Sequence, residues 1–183
     1  MKKFFVIGNP IEHSLSPKLH NYWIKNNNIN AVYNKKKLEI DDLKNLVSEI
    51  KDKKITGVNV TVPFKKAIIP HLDVLSGHAL RTNSINTISV DNGNLIGHNT
   101  DIEGFELSIK KSNYEVSNKT VIILGAGGVV PSIIYALKRM NAGKIIIGGC
   151  CLSGDDATWE CSKCHQQIWK PIPEEELIGS EVD

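Results

Sequence analysis

The chain has 183 residues, 41% of them apolar and 23% charged, with a formal net charge of +2. That length supports one ordinary domain or two small ones with a buried core, and the composition excludes a chain disordered throughout. A balance this close to neutral argues against a dedicated nucleic-acid binder, and no apolar run reaches the roughly 18 to 20 residues of a membrane helix, so neither partner is expected.

The opening segment reaches Gly8, Asn9 and Pro10 too soon for a secretory signal and reads as a first strand, Phe4 to Ile7. The expected location is therefore cytoplasmic. Ser16 and Pro17 open a helix, with Ser16 as N-cap and proline at the first helical position, where its missing N–H costs nothing. Leu19, Tyr22, Trp23 and Ile24 fall on one face of it. Residues 31–39 look extended, and Asp41 caps a second helix carrying Leu43, Leu46, Val47 and Ile50 at the three-to-four residue period.

Gly57 to Val62 alternates and is β-branched, so it reads as a strand stopped by Pro63, with a short helix from Phe64. Asp91-Asn92-Gly93 between Ile85–Val90 and Asn94–Gly97 predicts a hairpin. Thr100-Asp101 opens a helix containing Phe105, Leu107 and Ile109. The wholly apolar Val121 to Leu124 predicts a parallel strand covered on both faces. A helix over 130–140 and a strand over 144–147 complete a βαβ unit. No internal repeat is visible, and the alternation makes the class α/β.

Composition changes abruptly near Gly149. Residues 150–183 hold all four cysteines and two lysines against eight acids, whereas residues 1–149 are rich in Asn and Lys. A boundary is expected there, with an acidic tail behind it.

Two groups of residues carry chemistry. Gly125-Ala126-Gly127-Gly128 lies directly between a strand and a helix, the context of a dinucleotide fingerprint. Gly125 permits the tight turn, and Gly127 lets the backbone approach a pyrophosphate at the helix N-terminus. Val130 stands at the third fingerprint position, where glycine or alanine is usual. On its own such a turn is equally a tight strand-to-helix connection. The second group is polar and stands at element junctions: Ser14, Ser16, Asn59, Thr61, Lys65, Asn86 and Asp101. Ser16 and Asp101 could serve only as helix caps, and Lys65 only as a solvated charge. Together, hydroxyls and amides with one ammonium and one carboxylate suit a small polyhydroxy acid bound where strands end. Lys65 beside a helix N-terminus feels a potential that favours the neutral amine, fitting an acid/base role near neutral pH, and an ionised Asp101 could orient it.

In order along the chain, Gly8-Asn9-Pro10 through Ser14-Leu15-Ser16-Pro17, Asn59-Val60-Thr61-Val62-Pro63-Phe64-Lys65, Asn86-Thr87, Asn99-Thr100-Asp101 and Gly125-Ala126-Gly127-Gly128 closely resemble shikimate dehydrogenase. The likeness covers residues 1 to about 149. It implies an N-terminal substrate-binding α/β domain (1–100), then a linking helix and partial Rossmann NADP-binding unit (101–149), before the atypical tail (150–183). It further implies NADPH-dependent reduction of 3-dehydroshikimate to shikimate in the route to aromatic amino acids. Ser14, Ser16, Thr61, Lys65, Asn86 and Asp101 are then substrate ligands, with Lys65 and Asp101 catalytic, and Gly125, Ala126, Gly127, Gly128 and Val129 form the pyrophosphate loop. The resemblance leaves a homodimer open.

Three departures qualify the match. Gly77 stands where the family usually places an acidic residue. Gly148-Gly149-Cys150 stands where a basic 2′-phosphate motif is expected, so a relative using NAD and accepting quinate stays open. The later Rossmann strands have no counterpart. A lone βαβ unit cannot cover both faces of its sheet, so Val121 to Leu124 and Ile145 to Ile147 are expected to lack neighbours. The front domain is expected to keep the substrate groups while hydride transfer is weak or lost. A non-catalytic module binding the same sugar acid is the alternative from a different class. In the tail, Cys161-Ser162-Lys163-Cys164-His165 resembles a c-type haem attachment site, a chemistry that needs export; zinc on Cys161 and Cys164 with Cys150 or Cys151 is more plausible, and reduced free thiols with no metal are the simpler expectation.

Overall fold

The computed structural model describes residues 1–148, together with the backbone of two short strands, Trp159–Glu160 and Gln167–Trp169. The chain divides into two compact units, Met1–Thr100 and a second beginning at Asp101.

The first unit is built on a six-stranded mixed sheet. Its elements run β1 (Lys2–Gly8), α1 (Ser16–Asn26), β2 (Ala31–Lys37), α2 (Leu43–Lys51), β3 (Gly57–Val60), α3 (Phe64–Ala67), β4 (Val74–Leu75), α4 (Gly77–Thr82), β5 (Thr87–Asp91) and β6 (Asn94–His98), with the sheet ordered β2-β1-β3-β5-β6-β4. The β1 strand runs parallel to both β2 and β3, whereas β3–β5 and β5–β6 are antiparallel. The pleat of β1 sends Ile7 to one face and Val6 to the other. On the first face Ile7, Leu43, Leu46, Ile50, Phe64, Ile68, Ile85, Ile88 and Leu95 form a core in which none is more than 1% exposed. On the second, Val6, Ile11 and Tyr33 pack with Phe4 and Ile24. The expected hairpin is present, with Asn92 (φ 49°) and Gly93 (φ 85°) both left-handed as a tight two-residue turn requires.

Several local expectations need correction. Ser16 is not a cap: it is the first residue of α1, and Leu15 holds the cap position without a side-chain bond. The end is served instead by Ser14, whose Oγ accepts the Ser16 N–H at 3.3 Å. No residue of α1 is buried, and Leu19, Tyr22 and Trp23 are exposed, because the face turned to the sheet carries His20, Asn21 and Ile24 instead. Asp41 caps nothing. A 3₁₀ turn (Ile40–Asp42) precedes α2, closed by a reciprocal capping box between Glu39 and Asp42. Strand β3 stops at Val60, two residues earlier than the apolar pattern suggests, since Thr61 already turns away to receive Phe64 N–H on its carbonyl. The short β4 and α4 carry too few periodic residues to be legible beforehand.

In the second unit α5 (Asp101–Lys111) is followed by β7 (Val121–Leu124), α6 (Val130–Arg139) and β8 (Ile145–Gly148), the two strands pairing in parallel from Val121↔Ile145 to Leu124↔Gly148. Helix α6 buries Val130, Ile134, Ala136 and Leu137, and Ile123, Ile145 and Ile147 pack on it. The apolar sequence of β7 is of the doubly covered kind, but as expected for a lone βαβ unit the cover is incomplete: Ile122 is 62% and Leu124 82% exposed, so among the described residues this sheet is covered on one face. In α5 the inward residues are Ile102 and Glu106, not Leu107. Backbone strands β9 (Trp159–Glu160) and β10 (Gln167–Trp169) form an antiparallel pair.

Candidate active site

The parallel strands β1 and β3 end side by side, Ile7 opposite Val60, and the register Asn59↔Thr87↔His98 carries the same row across to β5 and β6. Because β5 runs opposite to β3 and β6 opposite to β5, the end of β6 joins the ends of β1 and β3 on one edge. Ser14 and Ser16 follow β1, Thr61 and Lys65 follow β3, Asn86 precedes β5, and Thr100 follows β6. This carboxyl edge is where open α/β sheets gather their ligands. Sequence spacing alone placed these groups at junctions; the sheet order brings the junctions of the first unit together.

Backbone bonds hold the edge in register. Asn9 N–H donates to Val62 O (3.0 Å), Thr61 N–H to Ile7 O (2.9 Å), Val60 N–H to Asn86 O (2.8 Å) and Asn86 N–H to His98 O (3.0 Å). Ile85 N–H donates to Lys65 O at 2.9 Å, which fixes the backbone of Lys65 against the lead-in to β5. Gly8 is required where it stands. A Cβ there would meet Thr61 Cγ2 at 2.6 Å and Ile11 Cδ1 at 2.9 Å, so only glycine lets the serine loop lie against Thr61. Ser14, Ser16, Thr61, Lys65 and Asn86 are all half-buried, as a rim open to a ligand should be.

The serine loop is also held from its outer side. Lys35 Nζ donates to Glu12 O, Lys37 lies 3.5 Å from Glu12 Oε1, and Asn9 Nδ2 donates to Glu39 Oε1 at 3.0 Å. Backbone N–H groups of Glu12 and Ile11, with Lys37 beside them, hold the Glu12 carboxyl below its usual value. Helix α3 is a single turn, so the macrodipole expected behind Lys65 has little helix to sum over.

A polar network lies behind this edge. Tyr33 O–H donates to Asn59 Oδ1 (2.6 Å), Asn59 Nδ2 donates to Asn86 O (3.2 Å) and Thr87 Oγ1 (3.0 Å), and Thr87 O–H donates to Asn86 Oδ1 (3.1 Å). Asn86 Oδ1 also accepts Thr100 N–H (3.0 Å), while Asn86 Nδ2 donates to Thr100 Oγ1 (2.8 Å). Asn99, 4% exposed, donates from Nδ2 to Thr82 Oγ1 and Ser84 O and braces the neighbouring turn. Tyr33 and Thr87 were missed as site residues. The usable signal was a lone aromatic in the polar strand Ala31–Lys37, opposite Phe4 in register.

In the second unit Asp101 opens α5, next in sequence to Thr100, and is half-buried. The glycine loop takes up the expected turn. Gly125 has φ +105°, its N–H extends the β7–β8 ladder to Gly148 O at 2.9 Å, and Val130 N–H closes the first turn of α6 on Gly127 O. A Cβ at Gly125 or Gly127 would touch nothing within 4 Å, so the loop backbone lies open to an approaching pyrophosphate. Gly127, Gly128 and Val129 are exposed, Gly125 and Ala126 half-buried. On this count the residues present fit the diphosphate of a dinucleotide. The 2′-phosphate position after Gly148 and the Cys150, Cys151, Cys161 and Cys164 reading lie outside the described residues. No helix among the described residues is long and apolar enough to cross a membrane.

Comparisons with known proteins agree with this layout. Residues 6–88 match the family model of the shikimate dehydrogenase substrate binding domain. The shikimate dehydrogenase (NADP(+)) of Pelagibacter ubique is 56% identical over 146 residues, covering 80% of this chain and 55% of that protein. The crystal structure of shikimate dehydrogenase from Aquifex aeolicus superposes with a TM-score of 0.76 at 40% identity, over 81% of this chain and 56% of that one. The Thermus thermophilus enzyme solved with NADP(H) and shikimate gives a TM-score of 0.74 at 30% identity, over 81% and 56%. The chain spans about half the length of the curated relatives it matches. Over that shared stretch, about four-fifths of its residues, the chain is similar by sequence and by fold to shikimate dehydrogenases, and residues 6–88 carry the match to their substrate binding domain.

Proposed function

We propose that the Met1–Thr100 unit is a substrate-binding domain for shikimate and 3-dehydroshikimate, and that the described part of the second unit begins an NADP-binding domain. The observation that carries this reading is the single sheet edge on which Ser14, Ser16, Thr61, Lys65 and Asn86 stand, locked by the Thr61–Ile7 and Val60–Asn86 backbone bonds. The relatives' names supply the substrate class and the cofactor.

In the reaction, the hydroxyls of Ser14, Ser16 and Thr61 and the amide of Asn86 orient the ring through its polar groups, and Asp101 serves as a further ligand. Lys65 is the acid/base group: as the ammonium it donates a proton to the carbonyl oxygen being reduced, and as the amine it takes that proton back in the reverse direction. Gly125, Ala126, Gly127, Gly128 and Val129 would hold the cofactor's diphosphate, and the bound nicotinamide supplies the hydride that completes the two-electron reduction. For this 183-residue chain, matched over about half of its relatives' length, the reading is retained ligand binding with weak turnover.

Calorimetric titrations with shikimate and NADPH, run separately, and an NADP-linked absorbance assay test this. Saturable shikimate binding is expected, with turnover far below that of a full-length relative; in such a relative, replacing the lysine that aligns with Lys65 by alanine should cost about two to four orders of magnitude in rate. Absence of shikimate binding would overturn the substrate assignment. Tight NADPH binding with full turnover would overturn the impairment, and preference for NAD with quinate would reassign cofactor and substrate together.

A further inference from the structure

The hydrogen bonds behind the sheet edge have their directions imposed, because two backbone groups in the network have only one role each. The carbonyl of Asn86 can only accept, so the end of the Asn59 amide beside it is the NH₂, and the opposite end, facing Tyr33, is the oxygen. The N–H of Thr100 can only donate, so the Asn86 atom beside it is Oδ1. Thr87 receives its bond from Asn59 Nδ2, and its hydroxyl proton therefore points onward to Asn86 Oδ1. Polarity thus runs one way, from the Tyr33 phenol through Asn59 and Thr87 to the amide of Asn86.

The origin of this chain is unusually well held. Tyr33 is 3% exposed and packs with Val6 and Ile11. Its ring stacks on the imidazole of His20 at 4.1 Å and 5°. Its backbone is clamped at both ends by Asn21, which accepts the Tyr33 N–H on Oδ1 (3.0 Å) and donates from Nδ2 to Tyr33 O (2.6 Å). Burial raises the Tyr33 phenol above its ordinary value, which keeps the donor proton in place at any physiological pH.

We propose that Tyr33 is a positioning residue for the ligand site: through Asn59 and Thr87 it fixes the orientation of the Asn86 side-chain amide at the edge where the sugar acid binds. This rests on the substrate reading given above. A hydrogen-bond chain in a low-dielectric setting strengthens along its length, so losing the first donor weakens the orientation of the last amide, several residues removed. Without the phenol, Asn59 Oδ1 loses that donor beside the apolar Val6–Ile11 cluster, and its amide is held at the NH₂ end alone, which loosens the orientation passed on to Asn86.

The test uses Tyr33→Phe in the full chain, which keeps the ring, the His20 stack and the packing while removing one O–H. Shikimate affinity is expected to fall about tenfold with the circular-dichroism spectrum unchanged. Side-chain NH₂ resonances of Asn59 and Asn86 should both shift, the second without any direct contact to residue 33. Thr87→Val cuts the chain one step later, so Tyr33→Phe in that background should cost little more, whereas independent effects would multiply. Unchanged affinity in Tyr33→Phe, or an Asn86 resonance that stays in place, would overturn the proposal. If the parent chain binds no shikimate, the substrate reading fails by itself, and the Asn86 resonance alone still decides whether Tyr33 sets that amide.

Discussion

The two units bury their sheets to different degrees. In the first, six strands carry apolar residues on both faces, and Ile7, Phe64, Ile85 and Leu95 are wholly excluded from water. In the second, two parallel strands rest on α6 through Ile123, Ile145 and Ile147, while Ile122 and Leu124 on the other face stay exposed. Both sheets are written in the same vocabulary of Val, Ile and Leu. The contrast shows that an apolar strand states its appetite for cover, while the number of neighbouring elements decides whether it is met. It also suits the roles proposed for them: a ligand edge needs groups held to fractions of an ångström, and only a closed core provides that rigidity.

The largest expected effect lies in the closed unit. Phe64→Ala removes a fully buried ring beneath the turn that carries Lys65, and should cost about 3–5 kcal/mol in urea denaturation while weakening shikimate binding as the turn loosens. A loss below about 1 kcal/mol would mean that the first core is far softer than its packing indicates.

Leu124→Ser sharpens the other side of the contrast. The side chain is 82% exposed, so the same denaturation should move by no more than about 0.5 kcal/mol. A cost near that of Phe64→Ala would show that Leu124 is covered in solution.

The smallest effect is a pH dependence confined to the first unit. Burial holds the His20 imidazole below its ordinary value of 6.5, so the folded state favours the neutral ring stacked on Tyr33. The unfolded chain then takes up its proton first. Stability should fall as pH drops through about 6.5 and level off once the folded value is passed. Urea midpoints measured between pH 8 and 5 should show this slope, and His20→Phe should remove that component. An equal slope in both proteins would assign it to other groups.

Much of the candidate site's local geometry was legible in the sequence, and the reason is local. Gly8-Asn9-Pro10, Val62-Pro63 and Gly125-Ala126-Gly127-Gly128 depend on backbone conformations that few residues adopt, so their chemistry is written in adjacent letters. The DNG hairpin is of the same kind, its two left-handed residues announced by Asn and Gly. Helix caps were less legible. Ser16 and Asp41 are good cap residues by type, yet Ser14 and the Glu39–Asp42 pair do the work, because capping depends on which N–H groups the preceding loop leaves unserved. Tyr33 was legible only as a lone aromatic in a polar strand, not by what it bonds to. Its partner Asn59 is 26 residues away, and no local pattern links them.

The sequence by itself determined the α/β alternation, the hairpin, the glycine turn and the identity of the polar groups standing at element ends, since each depends on torsions and periodicities within a few neighbouring residues. Tertiary structure alone decided that those ends share one edge, that Gly8 admits the serine loop onto Thr61, and that a phenol in β2 orients an amide before β5. Strand order and cross-strand register are set by the packing of the whole sheet, and that packing is a sum over distant residues which no short stretch of chain contains.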